Sequence, residues 1–197
     1  YTAQIQRSDG EWRVEDTWPP IDSEDYLFDL GDCGNDGAFT GGLPVIGGGA
    51  PVVGGGQTVT VECPEINPDF PMHISGLVTL HLSAVPTFDG GQIFVEMQNM
   101  ETGVRIGHAT MDVRYHEGGY EPQTVFPGQE ITMMMEFQAI DAIVKPGQGI
   151  RFILSDTGED YLAPACGSAC TVHVLTSLSE ANFPLIERGQ TTILEVP

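Results

Sequence analysis

ISGLVTLHLSA, residues 74–84, sets the period of this chain. Val78, Leu80 and Leu82 fall on one side, and Thr79, His81 and Ser83 on the other. A repeat of two is that of a half-buried strand, whose successive side chains point to opposite faces. The same alternation recurs on both sides of it: QTVTVEC (57–63), GQIFVEMQN (91–99), VRIGHATMDVRY (104–115), EITMMMEFQ (130–138), GIRFILS (149–155), CTVHVLT (170–176) and TTILEV (191–196). In 130–138, Ile131, Met133, Met135 and Phe137 share a face. Between the runs lie turn residues such as Asp89-Gly90-Gly91, Glu117-Gly118-Gly119, Pro127-Gly128 and Pro146-Gly147. No stretch of a dozen residues carries a capped 3.6 period; Phe137–Val144 is expected to make one helical turn that Pro146 ends. Eight to ten antiparallel strands of this spacing predict an all-β chain, a β-sandwich of jelly-roll type.

One stretch breaks the pattern. GDCGNDGAFTGGLPVIGGGAPVVGGGQ, residues 31–57, holds eleven glycines and two prolines. It has too few side chains to bury and reads as a long loop draped over a neighbour. Four cysteines, Cys33, Cys63, Cys166 and Cys170, make an even set. Sequence proximity pairs Cys33 with Cys63 and Cys166 with Cys170. A four-thiolate zinc site is the alternative, and the spacing lacks the paired C-x2-C knuckles such sites draw on.

At 197 residues with 41% hydrophobic and 18% charged residues, the chain suits one globular domain with room for an N-terminal extension. Its net charge is −21, from 28 acidic against 7 basic residues. Such a surface repels nucleic acid and anionic lipid, and suits solubility in an extracellular or saline setting. No run is long and apolar enough to span a bilayer, and no signal-peptide pattern opens the chain. Its start at Tyr1 in place of methionine is expected of a processed or cut chain.

Catalytic patterns are missing. No serine lies in G-x-S-x-G; Ser75 is in a strand and Ser168 between two cysteines. His73, His81, His108, His116 and His173 show no ligand spacing, and a surface or sheet-edge place is expected for each. The glycine triplets at 47–49 and 54–56 have neither helix nor lysine after them, so no phosphate cradle forms. IDSEDYLFDLGDCGNDG (21–37) gathers acidic side chains. A solvated loop is the default there. Calcium, which takes six to eight oxygens, is the alternative, with Asp32, Asn35 and Asp36 as first candidates. No other cofactor is indicated.

Taken in order, WRVEDTWPP (12–20), Tyr26-Leu27-Phe28-Asp29-Leu30, the glycine-rich loop, VECPEINPDFPMHISGLVTLHLS (61–83), FPGQEITMMMEF (126–137), VKPGQGIRFILS (144–155) and the closing TTILEVP form a series. This series resembles the C-terminal domain of the X-Pro dipeptidyl-peptidase and cocaine-esterase family, the S15-type serine hydrolases. The likeness runs from about residue 10 to 197. It implies a galactose-binding-like jelly roll over residues 26–197, with residues 1–25 as the segment arriving from a preceding catalytic domain. Trp12 and Trp18 would then belong to the joint between domains, with Pro19 and Pro20 holding it extended. The catalytic domain, with its serine elbow, acid and histidine, has no counterpart in these residues, so no catalytic residue carries over. The implied function is a non-catalytic accessory domain of a secreted hydrolase, its partner the missing catalytic domain. Two other readings stand beside it: a carbohydrate-binding module using Tyr115, Tyr120 and Phe88, and a free-standing structural or adhesive protein. A glycan partner belongs to the first of these.

Overall fold

The computed structural model describes residues 3–7, 10–33, 37–40, 58–63, 71–158 and 170–186. Twelve strands lie among them and no α-helix. They are β1 (Ala3–Gln6), β2 (Trp12–Glu15), β3 (Glu24–Asp29), β4 (Gly37–Thr40), β5 (Val59–Cys63), β6 (Met72–Pro86), β7 (Gln92–Asn99), β8 (Arg105–Asp112), β9 (Ile131–Val144), β10 (Ile150–Ser155), β11 (Thr171–Val174) and β12 (Glu180–Leu185).

All pairings are antiparallel. One sheet runs β5-β10-β7-β8. The second is built on β6, which pairs with β9 along one edge. Its other edge is shared by β12, backed by β3, and β11, backed by β4. The chain crosses between sheets at β4–β5, β5–β6, β6–β7, β8–β9, β9–β10 and β10–β11, so neither sheet forms without the other. Between them lies one core: Val61, Val95, Met97, Phe152 and Leu154 from the first sheet against Ile74, Leu80, Leu82, Met133, Met135 and Phe183 from the second. The Phe152 and Phe183 rings lie 6.4 Å apart between centroids. The all-β sandwich is as expected from the two-residue period.

Where β12 hands over to β11 along β6, side chains complete the ladder. Ser83 N–H donates to Ser179 Oγ at 3.0 Å, and Leu175 N–H donates to the Ser83 carbonyl at 2.9 Å. The backbone groups of Ser83 thus keep their partners across the break.

The structure corrects several expectations. Phe137–Val144 is not a helical turn but the second half of β9. In the β6–β9 ladder Leu77 faces Ala139 while Thr79 faces Glu136, so Phe137 and Gln138 together oppose Val78. This β-bulge inserts one residue and inverts the phase of the strand. Ile131, Met133, Met135 and Phe137 point inward before it, and Ile140, Ala142 and Val144 after it. The broken alternation imitates a helix in sequence. Residues 113–115, expected to extend a strand, form a 3-10 turn capped by the Asp112 side chain.

Within the glycine-rich stretch, Gly37–Thr40 is strand β4 on β11. Gly37 passes Val59 so closely that a Cβ would lie 2.9 Å from Val59 Cγ1. Residues 41–57 of that loop and the expected strand at 191–196 lie outside the described residues.

Candidate functional site

Residues 1–25 contain more than a connection. β1 and β2 pair as a hairpin, with Ile5 opposite Arg13 and Ala3 opposite Glu15. Ala3, Ile5, Arg13 and Glu15 therefore share one face, and Gln4, Gln6, Trp12 and Val14 the other. The first face is the more buried, and it lies on the outer surface of the β6–β9 pair. Trp12, on the second face, is 40% exposed.

The phase change at the bulge decides what the hairpin meets. Past Phe137 the odd positions of β9 turn outward, which carries Asp141 to the outer face, directly across from Ser75 on β6. His73, two residues along β6, shares that face. On most sandwiches this surface is wet. Here Ser75 is 0% exposed and Arg13, His73 and Asp141 are buried. Arg13 Nε donates to Asp141 Oδ2 at 2.9 Å and Arg13 Nη2 to Asp141 Oδ1 at 2.9 Å, a two-pronged fork. Nη2 also donates to Ser75 Oγ, and Nη1 pairs with Glu15. His73 Nε2 meets Asp141 Oδ1 at 2.7 Å. The Trp18 ring lies 5.7 Å from the guanidinium carbon, within cation–π range.

Burial by itself pushes the Asp141 carboxyl up, but the hydrogen bonds and charges of His73 and Arg13 more than offset it, and its pKa lies below the ordinary aspartate value. Asp141 is therefore a carboxylate at neutral pH, and Arg13 is neutralised in place.

Next to this cluster Gly76 adopts φ +151°, a conformation that L side chains rarely take. A Cβ there would lie 2.9 Å from Pro184 Cγ and 3.4 Å from Pro19 Cβ. Pro19, the first of the two prolines after Trp18, thus seats against the strand glycine. The Trp18–Pro19 peptide is cis.

Serine, histidine and aspartate in one cluster invite comparison with a catalytic triad. The wiring differs. In a triad the histidine bridges the acid and the nucleophile. Here Ser75 Oγ accepts from a guanidinium, which has no capacity to take its proton. The cluster is suited to holding a strand in place.

His73 corrects the sequence reading, which expected a surface or edge position. His81 on β6 and His173 on β11 do lie on the outward faces expected of them, the first half-buried and the second exposed. The Cys33–Cys63 disulfide is present, with Cα atoms 4.6 Å apart. It ties the turn after β3 to the end of β5, and so links the two sheets; it also removes two thiolates from any zinc site. Cys170 is also disulfide-bonded, while Cys166 and Ser168 lie outside the described residues. Of the calcium candidates, Asp32 is exposed in a 3-10 turn, and Asn35 and Asp36 lie outside the described residues. No cluster of three His, Cys, Asp or Glu side chains suited to a metal occurs among the described residues. Phe88, Tyr115 and Tyr120 all belong to segments at one end of the sandwich, where Val113 N–H donates to the Gly91 carbonyl and Gly128 N–H to the Pro86 carbonyl. Tyr120 is fully exposed there, Phe126 for the most part and Phe88 in part. No described helix is long and apolar enough to cross a membrane.

Residues 69–195 match the family described as the X-Pro dipeptidyl-peptidase C-terminal non-catalytic domain. The chain belongs to that family. No curated protein matches it. Among solved structures, an aminopeptidase from the marine sediment archaeon Thaumarchaeota archaeon superposes with a TM-score of 0.71 at 11% identity, over 93% of this chain and 40% of its own. A CocE/NonD family hydrolase from Staphylococcus aureus gives 0.62 at 9% identity, over 94% and 41%. An α-amino acid ester hydrolase gives 0.54 at 13% identity, over 93% and 36%. At these identities the likeness is one of fold. The chain spans about two fifths of the length of these proteins. As an X-Pro dipeptidyl-peptidase C-terminal domain it is a non-catalytic unit, and its docked hairpin lies N-terminal to the matched region.

Proposed function

We propose that this chain is the accessory domain of a secreted S15-like serine hydrolase, packing on the catalytic α/β domain and helping to shape its cleft. The whole enzyme is an X-Pro dipeptidyl-peptidase or an acyl esterase or amidase of similar substrate shape. The observation that carries this reading is the two-sided strand β2. Its Arg13 and Glu15 are buried against the outer face of the sandwich, while its Trp12 faces away and is 40% exposed. An indole left in that position suits a second surface arriving from the N-terminal side. The net charge of −21 supports an extracellular, salt-rich setting.

The test is to express the whole reading frame that encodes this chain and assay it against Xaa-Pro anilides and aryl esters, with the chain alone as control. The whole protein turns over one of them and is silenced by a serine-directed phosphonate; the chain alone does neither. Acrylamide quenches Trp12 readily in a Trp18→Phe chain and poorly in the whole enzyme. Turnover by the chain alone, or equal quenching in both, overturns the proposal.

A second reading rests on the exposed aromatic rings at the far end of the sandwich, since aromatic faces stack on sugars. Glycan-array binding that is lost in Tyr120→Ala supports it, and silence on the array removes it.

A further inference from the structure

The hairpin shares no ladder with either sheet of the sandwich; β1 and β2 are a sheet of their own. Among the described residues, side chains tie it to the body, and these ties include the Arg13 fork on Asp141, the Arg13 bond to Ser75, and Pro19 against Gly76. We propose that β6 and β9 build a guanidinium pocket from Asp141, His73 and Ser75, that Arg13 fills it from the same chain, and that the β1–β2 arm leaves this pocket in an equilibrium separate from global unfolding.

The pocket belongs wholly to the sandwich. Ser75 and Asp141 are fixed opposite each other by the β6–β9 register, and His73 holds Asp141 Oδ1 in place. The groups facing Asp141 are Arg13 from β2 and His73 and Ser75 from β6, and Glu15 of β2 pairs with the far side of the same guanidinium. None of these is part of the core between the sheets.

A buried ion pair gains little over two hydrated ions, because desolvation cancels most of its attraction. When the arm lifts, Arg13 and Asp141 both regain water, and no buried charge is stranded. The core between the sheets is untouched. Opening of this kind lies below the global unfolding free energy, as local units with few apolar ties do. The reading concerns this chain alone and holds whether or not the whole protein is a hydrolase.

The molecule carries its own reporter. Both tryptophans, Trp12 and Trp18, are in the arm segment, and the chain has only two. In the full chain with Trp12→Phe, emission reports Trp18, and far-UV circular dichroism reports the sheets. The expected result in a urea titration is two midpoints, with the emission change at the lower urea concentration. Trypsin supplies a second measurement, because the Arg13–Val14 bond is covered only while the arm is docked. Asp141→Asn is expected to speed cleavage after Arg13 by roughly a hundredfold or more, given what stranding one partner of a buried pair does. Coincident midpoints in the Trp12→Phe chain overturn the proposal, and this test stands even if Asp141→Asn fails to fold. Unchanged cleavage after Arg13 in a folded Asp141→Asn chain overturns it as well.

Discussion

Gly76→Ala tests how closely Pro19 and β12 seat on β6. The added methyl would lie 2.9 Å from Pro184 Cγ, 3.1 Å from Pro184 Cβ and 3.4 Å from Pro19 Cβ. The first two contacts are with a ring that cannot swing aside. Overpacking of this sort costs about 1–3 kcal/mol. The backbone adds to it, because φ +151° at residue 76 is strained for any residue with a Cβ, by about 1–3 kcal/mol. The sum is about 2–6 kcal/mol. For a chain of this size each kcal/mol lowers Tm by about 2–4 °C, so Gly76→Ala should melt roughly 4–24 °C below the parent. Differential scanning calorimetry gives the shift, and urea titration gives the free energy. Pro184→Ala removes the nearest atom, so the double variant should recover part of the packing cost but not the backbone cost. A Gly76→Ala chain within about 0.5 kcal/mol of the parent, the range of ordinary surface substitutions, refutes the reasoning.

Phe152→Ala removes a fully buried ring that faces Phe183 across the core, and should cost about 3–5 kcal/mol by urea unfolding; a loss under about 1 kcal/mol would mean the two sheets do not close on it. Replacing Cys33 and Cys63 together by serine opens a loop spanning 30 residues, and should cost about 3–4 kcal/mol on the chain-entropy account; the parent under reducing conditions, which also open the disulfide at Cys170, should lose at least as much, and an unchanged midpoint in both would contradict it. The acid limb follows from Asp141. Its pKa is lowered in the folded chain, so its charge contributes stability that is fully present above the unfolded aspartate value of about 3.9 and is lost as pH falls below it. The stability gap between the parent and Asp141→Asn should therefore be widest at neutral pH and close on acidification below about pH 4. Taking the difference cancels the shared response of the other carboxylates, and a gap of constant width would show that Asp141 carries no such share.

The sandwich was legible because the strands of its centre alternate cleanly. Val78, Leu80 and Leu82 on β6, and Ile150, Phe152 and Leu154 on β10, need no other information to be placed inward. The edges were less so. β12 contains Pro184, which denies a ladder hydrogen bond and argues against a strand. β3 is an edge strand of EDYLFD, mostly exposed, and its alternation is diluted by the acids that keep it soluble. The docking cluster was hidden for a deeper reason. Which way Asp141 points depends on the bulge at Phe137 and Gln138, and that bulge exists only in the register with β6. Counted straight on from Met135, Asp141 would face the core, a place for an unpaired carboxylate that no sequence reader would accept. The signal that was available is Arg13 itself: a lone cation in WRVEDTWPP, flanked by indoles, among 28 acidic residues.

The bulge also explains why the cluster does not weaken the fold it is attached to. A carboxylate in the space between the sheets would have to displace apolar packing throughout the β9 face. Turned outward by one inserted residue, Asp141 leaves Ile140 and Ala142 free to complete the core and is desolvated only by whatever covers the outer face. Its burial is therefore conditional on the arm, whereas the burial of Phe152 or Leu80 is conditional on the two sheets. The same geometry gives specificity without great affinity. A fork on a carboxylate that is itself held by His73 accepts a planar guanidinium in one orientation, and the ammonium of a lysine cannot satisfy both oxygens in that manner. Alternation along β2 then converts this single constraint into a direction: with Arg13 inward, Trp12 must point away from the sandwich. The side chains that attach the arm are also the ones that decide which face of it is offered to a neighbour.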